Sequence, residues 1–176
     1  SKMKFLTFTT LLAGLWALSG CNSGRSLPTV AEVDLQRYAG TWYEVAHLPK
    51  AYQEGCECIS AEYTPEGDHL KVLNRCFDTE KGKYTSVEGL ARPEKGSKNS
   101  RLKVQFVPLF EGDYYILALE EDYGYTLIGV PDRKSLWILS RTREPAAEVV
   151  KNYLNRAEEL GFNTSNLIFT RQDCQP

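Results

Sequence analysis

Short stretches in which apolar and polar residues alternate fill the chain from about residue 41 to residue 141. Leu102, Val104 and Phe106 alternate with polar neighbours in the clearest of these stretches, which is the pattern of a half-buried strand. Proline, glycine and aspartate, as at residues 65–68, mark tight turns between the stretches. The pattern predicts eight strands, at residues 41–48, 57–64, 69–77, 84–91, 102–106, 113–120, 125–130 and 135–141.

The periodicity changes after residue 141. Pro145 suits the first turn of a helix, apolar residues then recur every three or four positions as far as Leu160, and Gly161 suits the position just past the end. Residues 166–171 are predicted as a last short strand. Strands joined mostly by hairpins and followed by one helix predict an all-β fold. The expected form is an eight-stranded antiparallel up-and-down β-barrel with one C-terminal α-helix and a short final strand.

The first 20 residues differ from the rest of the chain. Lys2 and Lys4 precede an uncharged, mostly apolar run at residues 5–18, which is too short for a comfortable membrane-spanning helix. A basic start, a short apolar run and small residues after it are typical of a secretory signal peptide. We therefore expect residues 1–20 to be a signal peptide and residues 31–176 to be the folded domain.

The sequence Leu-Ser-Gly-Cys at residues 18–21 resembles the lipobox of bacterial lipoproteins. This resemblance implies cleavage after Gly20 and a lipid anchor on Cys21, in which several acyl chains hold the protein to a membrane. Asn22 stands where an aspartate would indicate the inner membrane, so the expected location is the bacterial outer membrane, on its periplasmic face. Residues 21–30 are expected to be a flexible, lipidated tether.

The charge balance argues against binding of nucleic acid. Lys and Arg number 21 and Asp and Glu number 23, which gives a net charge of −2. Removal of the predicted signal peptide takes away two lysines and no acid, so the net charge becomes −4. Charges of both signs are mixed along the chain, whereas a nucleic-acid surface would show a basic excess.

The cysteines other than Cys21 are even in number, which in an exported chain favours two disulfides. They are Cys56, Cys58, Cys76 and Cys174. Because Cys56 and Cys58 are too close to bridge each other easily, each is expected to reach a different partner, and the pairing stays open. A metal site is disfavoured, because four thiols and two distant histidines, His47 and His69, are the only soft ligands.

Three segments resemble the signature regions of the lipocalin family. They are residues 40–43, residues 131–133 and residues 136–141, in the family's order and spacing. The resemblance covers about residues 31–174 and is closest to bacterial outer-membrane lipocalins and their apolipoprotein D-like relatives. It gives structural roles to the signature residues Gly40, Trp42, Asp132 and Arg141. Trp42 is expected to close the base of the barrel and Arg141 to pack across it, which is a favourable cation–π contact.

The resemblance also implies a disulfide pairing. Relatives of the apolipoprotein D type join a cysteine at the start of the second strand to the C-terminal tail, which predicts Cys58–Cys174. Many bacterial members carry two further cysteines that match Cys56 and Cys76, which predicts Cys56–Cys76. The alternative is Cys58–Cys76 with Cys174 elsewhere.

Lipocalins bind small hydrophobic molecules, and bacterial lipoprotein members are linked with lysophospholipids and fatty acids. The resemblance therefore implies storage or transport of such a ligand inside the barrel. Residues that match pocket positions of the family are Tyr63, Asn74, Trp137 and Leu139. Trp137 shares its parity with Leu139 and Arg141, as expected for one inward face. An alternative is that Tyr63 and Trp137 are ordinary core aromatics.

Two other functions are weighed against ligand binding. The chain has no dinucleotide-binding, P-loop, zinc-protease or nucleophile-elbow motif, and we expect neither a cofactor nor catalysis. A lipid- or carotenoid-converting lipocalin enzyme stays as one alternative. A protein-interaction module or homodimer is the other, with the loop at residues 49–55 and residues 108–110 as contact surface. Siderophore capture is disfavoured because no Lys/Arg cluster lies on the proposed lining.

Overall fold

The computed structural model describes residues 25–175. The predicted signal peptide and the predicted lipid anchor on Cys21 lie outside the described residues. Within residues 25–175, no helix is long and apolar enough to cross a membrane.

Eight antiparallel strands close into a barrel, as the sequence predicts. Each strand pairs with its neighbour in the chain, and β1 completes the ring by pairing with both β2 and β8. The strands are β1 (Gly40–His47), β2 (Cys56–Glu66), β3 (His69–Asp78), β4 (Lys83–Pro93), β5 (Arg101–Val107), β6 (Phe110–Leu119), β7 (Tyr125–Gly129) and β8 (Leu136–Ser140). A short helix α1 (Leu35–Tyr38) precedes β1, and α2 (Ala147–Glu159) follows β8.

Two predicted boundaries differ from the observed ones. Residues 108–112 were expected to be a turn, but Val107 pairs directly with Phe110, so the turn has two residues and β6 begins at once. The last strand, predicted at residues 166–171, is only β9 (Ile168–Phe169), because β1 offers it just two partner positions.

Alternation along the strands gives the barrel an inner and an outer apolar cluster. The inner cluster is centred on Trp42, Leu70, Leu102, Ile116 and Ile128, with further side chains from β2 and β8. The outer cluster lies between the wall and α2, where helix residues such as Val150, Tyr153 and Ala157 cover Leu127 and Ile138. The amphipathic face of the helix therefore buries the outside of one part of the sheet and leaves the barrel interior unoccupied by the helix.

A bulge in β1 changes which side chains face inward. Trp137 in β8 is paired with His47, and the register shifts between Glu44 and Ala46. Val45 and Ala46 consequently both pack in the outer cluster, while Glu44 and His47 both lie on the inner face. Strict alternation would have placed His47 outside.

The C-terminal segment, residues 168–174, fills a gap in the wall. β1 pairs with β2 only in its first half, and β9 pairs with the second half of β1. Thr170 donates its backbone N–H to the carbonyl of Val45 in β1 (2.9 Å), and Cys58 in β2 donates its backbone N–H to the carbonyl of Arg171 (2.8 Å). The segment therefore bridges the two strands where they separate.

Two disulfides secure this side of the barrel. Cys56 is bonded to Cys76 and Cys58 to Cys174, which are the two bonds that the family resemblance implies. The first joins β2 to β3, and the second holds the C-terminal segment on β2.

Residues 25–30, which the sequence places in a flexible tether, instead pack on the barrel. Leu27 is buried in the outer cluster. Val30 donates its backbone N–H to the carbonyl of Ile116 (2.9 Å). The ordered domain thus begins at least six residues before the predicted boundary.

One end of the barrel is closed by Arg141 and Trp42; we call it the closed end. The guanidinium lies over the indole, with Cζ 3.8 Å from the centroid of the Trp42 ring. It also donates hydrogen bonds of 2.8–3.1 Å to the carbonyl oxygens of Arg37, Ala39, Thr41 and Tyr123. One side chain therefore ties the entry to β1, β1 itself and the β6–β7 turn together.

Gly40 fits this closure for a geometric reason. Its φ is +98°, which favours glycine, and a Cβ atom there would lie 3.3 Å from Nη1 of Arg141. The fourth signature residue, Asp132, lies at the opposite end, where its Oδ1 accepts a hydrogen bond from the backbone N–H of Lys134 (2.8 Å) in the β7–β8 turn.

We predict that Arg141→Lys destabilises the fold by about 2–4 kcal/mol, because an ammonium cannot both stack on the indole and reach four carbonyls. The matched control is Arg143→Lys, because Arg143 lies over the Tyr43 ring at 4.6 Å on the outer surface. That exchange should cost less than about 1 kcal/mol. Urea unfolding of both variants measures the difference, and equal costs would contradict the proposed role of Arg141.

Candidate functional site

The end of the barrel opposite Arg141 is where its interior can be reached; we call it the open end. Val87 and Asn74 are directly paired on β4 and β3, and Asn74 is paired in turn with the buried inner-face residue Ala61. Val87 therefore points inward, yet 49% of its surface is exposed, and Asn74 is only half-buried. Solvent thus reaches inward-facing side chains at this end. The connections around it are residues 48–55, 79–82, 108–109 and 130–135.

A cluster of buried hydroxyl groups lies deep in the interior, above Trp42. The hydroxyl of Tyr114 is 2.7 Å from that of Tyr38 and 2.8 Å from that of Tyr63. Tyr38 in turn donates to Oγ1 of Thr126 (3.2 Å). All four side chains are buried, and we call this cluster the floor.

The proton positions in the floor follow from counting donors. Thr126 donates to the carbonyl of Ala118 (3.3 Å), and Tyr38 uses its one proton on Thr126. Tyr114 must therefore donate to Tyr38, and Tyr63 to Tyr114. Each hydroxyl proton thus has a protein acceptor. Tyr63 has the one floor oxygen that accepts no hydrogen bond from another described residue, so it is available to accept one from a ligand.

Burial also fixes the ionisation of the floor. It raises the pKa of Tyr63 to about 12 and raises the pKa values of Tyr38 and Tyr114 as well. All three phenols are neutral at physiological pH, so the floor offers dipoles and no charge to a bound molecule.

A second polar cluster lies nearer the open end. The Glu44 carboxylate accepts hydrogen bonds from Nδ1 of His47 (2.9 Å) and from Oγ1 of Thr170 (2.6 Å) through one oxygen, and from Nε2 of Gln53 (2.9 Å) through the other. Oε1 of Gln53 accepts from the indole N–H of Trp137 (3.3 Å). Because an indole only donates and a carboxylate only accepts, these partners determine the orientation of the Gln53 amide.

The four predicted lining residues occupy different depths. Tyr63 belongs to the floor, and Leu139 is buried in the inner cluster beside Glu44. Trp137 is half-buried nearer the open end, and Asn74 lies on the inner face of β3. The structure therefore brings all four to the interior, and Asn74 is the one polar side chain among them without a hydrogen bond to another described residue.

Sequence reasoning missed most of the interior polar groups. Tyr114 and Thr126 could have been found, because they share parity with the buried residues Ile116 and Ile128 on β6 and β7. His47 could not, because the bulge in β1 reverses its parity. Gln53 enters from the loop between β1 and β2, for which alternation says nothing.

Two shallow grooves lie on the outside of the wall. The larger follows the outward faces of β1, β2 and β3, and its lining includes Thr41, Tyr43, Ser60, Glu62, Leu73 and Arg75. The smaller runs beside the C-terminal segment, near Phe169 and Gln172. Polar and charged side chains make up most of the lining of the larger groove, in contrast to the mostly apolar inner wall.

Known proteins share both the sequence and the fold. A family model described as a lipocalin-like domain matches residues 33–172. The "Outer membrane lipoprotein Blc" of Vibrio cholerae is 35% identical over 158 residues, covering 88% of this chain and 92% of the relative. "Apolipoprotein D" of Mus musculus is 32% identical over 130 residues, 70% of this chain and 67% of its own. Insecticyanin from the tobacco hornworm Manduca sexta superposes with a TM-score of 0.68 at 24% identity, over 83% and 84% of the two chains.

An eight-stranded barrel is wide enough either to be filled by its own side chains or to hold one small ligand. Closure by Arg141 and Trp42 at one end, with Val87 exposed at the other, is the geometry of a barrel that can admit such a ligand. The chain belongs to the lipocalin family, as its signature segments indicate. Membership of this family implies that it binds a small hydrophobic molecule.

We predict that stability falls steeply above pH 10, and that Tyr63→Phe reduces this fall. A phenol with a raised pKa in the folded state stays protonated while the same group ionises in the unfolded chain at its ordinary value of 10.0. Folding is therefore unaffected by this group below pH 10 and is penalised between pH 10 and about 12. The penalty is about 1.4 kcal/mol per pH unit for each such tyrosine.

Urea unfolding between pH 8 and pH 11 tests this expectation. The control is Leu139→Ala, which removes buried inner surface without removing a phenol and should keep the original slope of stability against pH. An unchanged slope in Tyr63→Phe would contradict the burial of its ionisable group.

Proposed function

We propose that this chain is a lipid-anchored outer-membrane lipocalin that binds one lysophospholipid or fatty acid molecule inside the barrel, for storage or transport. The coarse part of this statement, a small hydrophobic ligand, follows from the family. The ligand class rests on the chemistry of the inner surface, and the lipid anchor rests on the sequence around Cys21.

The observation that carries the proposal is the polarity of the inner wall. From the floor upward it is lined by aliphatic side chains, which suit a single alkyl chain. They include Ala61, Val72, Val104, Ile128 and Leu139. Apart from Asn74, the inward-facing polar groups named above lie at the floor, where they are hydrogen-bonded to one another, and near Trp137, where Glu44 and Gln53 are paired.

This distribution favours an acyl chain that enters from the open end. The tail would lie against the aliphatic wall, and the polar head would stay near Asn74, whose amide can donate and accept. The neutral floor also suits an uncharged chain end better than a carboxylate, because no cation lies among its hydroxyl groups. The head group therefore belongs near the open end.

The location is proposed from two agreeing signals. The Leu-Ser-Gly-Cys sequence at residues 18–21 is typical of lipidation on the cysteine. The relative from Vibrio cholerae carries the words "outer membrane lipoprotein" in its name. Lysophospholipids and fatty acids arise at membranes, so an anchored carrier would meet its ligand there.

Binding without catalysis is part of the proposal. One of the lipid-converting activities known among lipocalins uses a thiol inside the barrel, whereas the four cysteines of residues 25–175 are all paired. No group of three or more potential metal ligands occurs in the same part of the chain. These features support a carrier, and turnover assays with the bound lipid would decide the question.

We predict that Val87→Trp weakens lysophospholipid binding about tenfold or more, because an indole at this inward-facing and exposed position narrows the entrance. The matched control is Ser86→Trp on the neighbouring residue. Ser86 is exposed and is paired with Arg75 on the outer face, so its substitution should leave affinity within about twofold.

Native mass spectrometry after delipidation, with titration of lysophosphatidylethanolamine, measures both affinities. A wild-type protein that stays folded and binds no lipid at micromolar concentration would overturn the proposal. Loss of binding in Ser86→Trp instead of Val87→Trp would move the ligand to the outer groove.

A further inference from the structure

Exposed apolar side chains are concentrated at one end of this molecule. Among residues 25–175, the large hydrophobic residues that are exposed are Tyr52, Val87, Val107, Leu109, Phe110, Ile168 and Phe169. All seven lie in the open half of the barrel, either on its connections or on strand segments next to them. Val107, Leu109 and Phe110 are neighbours in one hairpin tip, and contiguous exposed apolar surface marks a site of interaction, so we expect a partner at this part of the open end.

The tip of the β5–β6 hairpin, Val107–Phe110, is the strongest part of this surface. Leu109 is 94% exposed and Phe110 is 73% exposed, so neither contributes much to packing within the domain. Val107 and Pro108 complete four consecutive apolar residues without a charge. Val107 pairs directly with Phe110, so the tip stands at the end of a paired hairpin.

The backbone at Leu109 adds an independent observation. Its φ is +71°, and the residue follows Pro108 in a two-residue turn, where glycine or asparagine is the favoured choice. A leucine there is unfavourable for the backbone and leaves its side chain in water. Positive φ also occurs at residues such as Lys98 and Tyr123, so what distinguishes Leu109 is a large apolar side chain held in water at such a position.

The N-terminal part of the chain arrives at the same end. The carbonyl of Arg25 accepts a hydrogen bond of 2.7 Å from Nη1 of Arg133, which lies in the β7–β8 turn at the open end. Cys21 is four residues earlier in the sequence. Four residues cannot span more than about 14 Å. A lipid on Cys21 would therefore enter the membrane close to the open end.

From these observations we propose that the open end docks on a phospholipid surface, with the hairpin tip Val107–Phe110 inserted between the head groups. The arrangement places the entrance of the barrel against the membrane in which single-chain lipids arise. The anchor is the only part of this proposal that rests on the proposed function, because the exposed tip and its position are features of the described residues.

Protection of an engineered cysteine from labelling tests the docking. Pro108→Cys reports on the tip and keeps Leu109 and Phe110, and Lys98→Cys is the matched reporter, because Lys98 is exposed on the β4–β5 connection at the closed end. Each full-length variant is expressed, lipidated, and reconstituted in vesicles of phosphatidylethanolamine and phosphatidylglycerol. A membrane-impermeant maleimide should label Pro108→Cys at least about tenfold more slowly than Lys98→Cys.

Substitution of the tip should abolish this protection. Leu109→Asn with Phe110→Ser removes the apolar surface, and asparagine suits the positive φ of residue 109, so the melting temperature should not fall through strain at that position. In this background Pro108→Cys should be labelled as fast as Lys98→Cys. Lysophospholipid binding in solution should be retained, which separates failure of the docking from failure of the proposed ligand.

Three results would overturn the proposal. Equal labelling of the two reporters on vesicles would mean that the tip is free. Selective protection of Lys98→Cys would mean that the closed end faces the membrane. Protection of Pro108→Cys that disappears when the protein is diluted in lipid would assign the tip to a second copy of this chain.

Discussion

The stacking of Arg141 on Trp42 is the interaction on which the use of this barrel depends. An eight-stranded barrel is narrow, and its interior is either filled by side chains or left able to hold one small molecule. Here a single guanidinium joins four carbonyls from three chain segments over one indole. Because this contact closes only one end, the interior of the barrel stays accessible from the other end.

The polar groups inside the barrel are hydrogen-bonded to one another, so they require few hydrogen bonds from a ligand. The hydroxyls of Tyr38, Tyr63 and Tyr114 point along one chain of hydrogen bonds, and Glu44 is saturated by its own neighbours. A buried polar group without a partner would be costly, and none occurs among the described residues. Selectivity for an apolar chain can therefore come from shape and burial, with few directional contacts at the open end.

Much of this architecture could be predicted from the sequence, because it rests on local patterns. Alternation in β5, the change of period before α2 and the glycine at Gly40 each have a physical cause within a few residues. The inward position of His47 could not be predicted, since a bulge reverses the parity of β1. The filling of the β1–β2 gap by residues 168–174 could not be predicted either, because it depends on contacts between residues that are more than a hundred positions apart in the sequence. A turn was predicted after Val107, but its length of two residues was not, because Leu109 occupies a position of positive φ at which glycine is the usual residue.

The central claim, that a single acyl chain lies along the inner wall, can be tested most directly by photocrosslinking. A lysophospholipid with a diazirine at the end of its acyl chain would be bound to the delipidated protein and irradiated, and labelled residues would be identified by tandem mass spectrometry. The account predicts labelling of inner-face residues near the floor, such as Tyr63, Ile128 and Leu139. Labelling of outward-facing residues such as Ser60, Glu62 or Leu73, with the inner face unmodified, would contradict it.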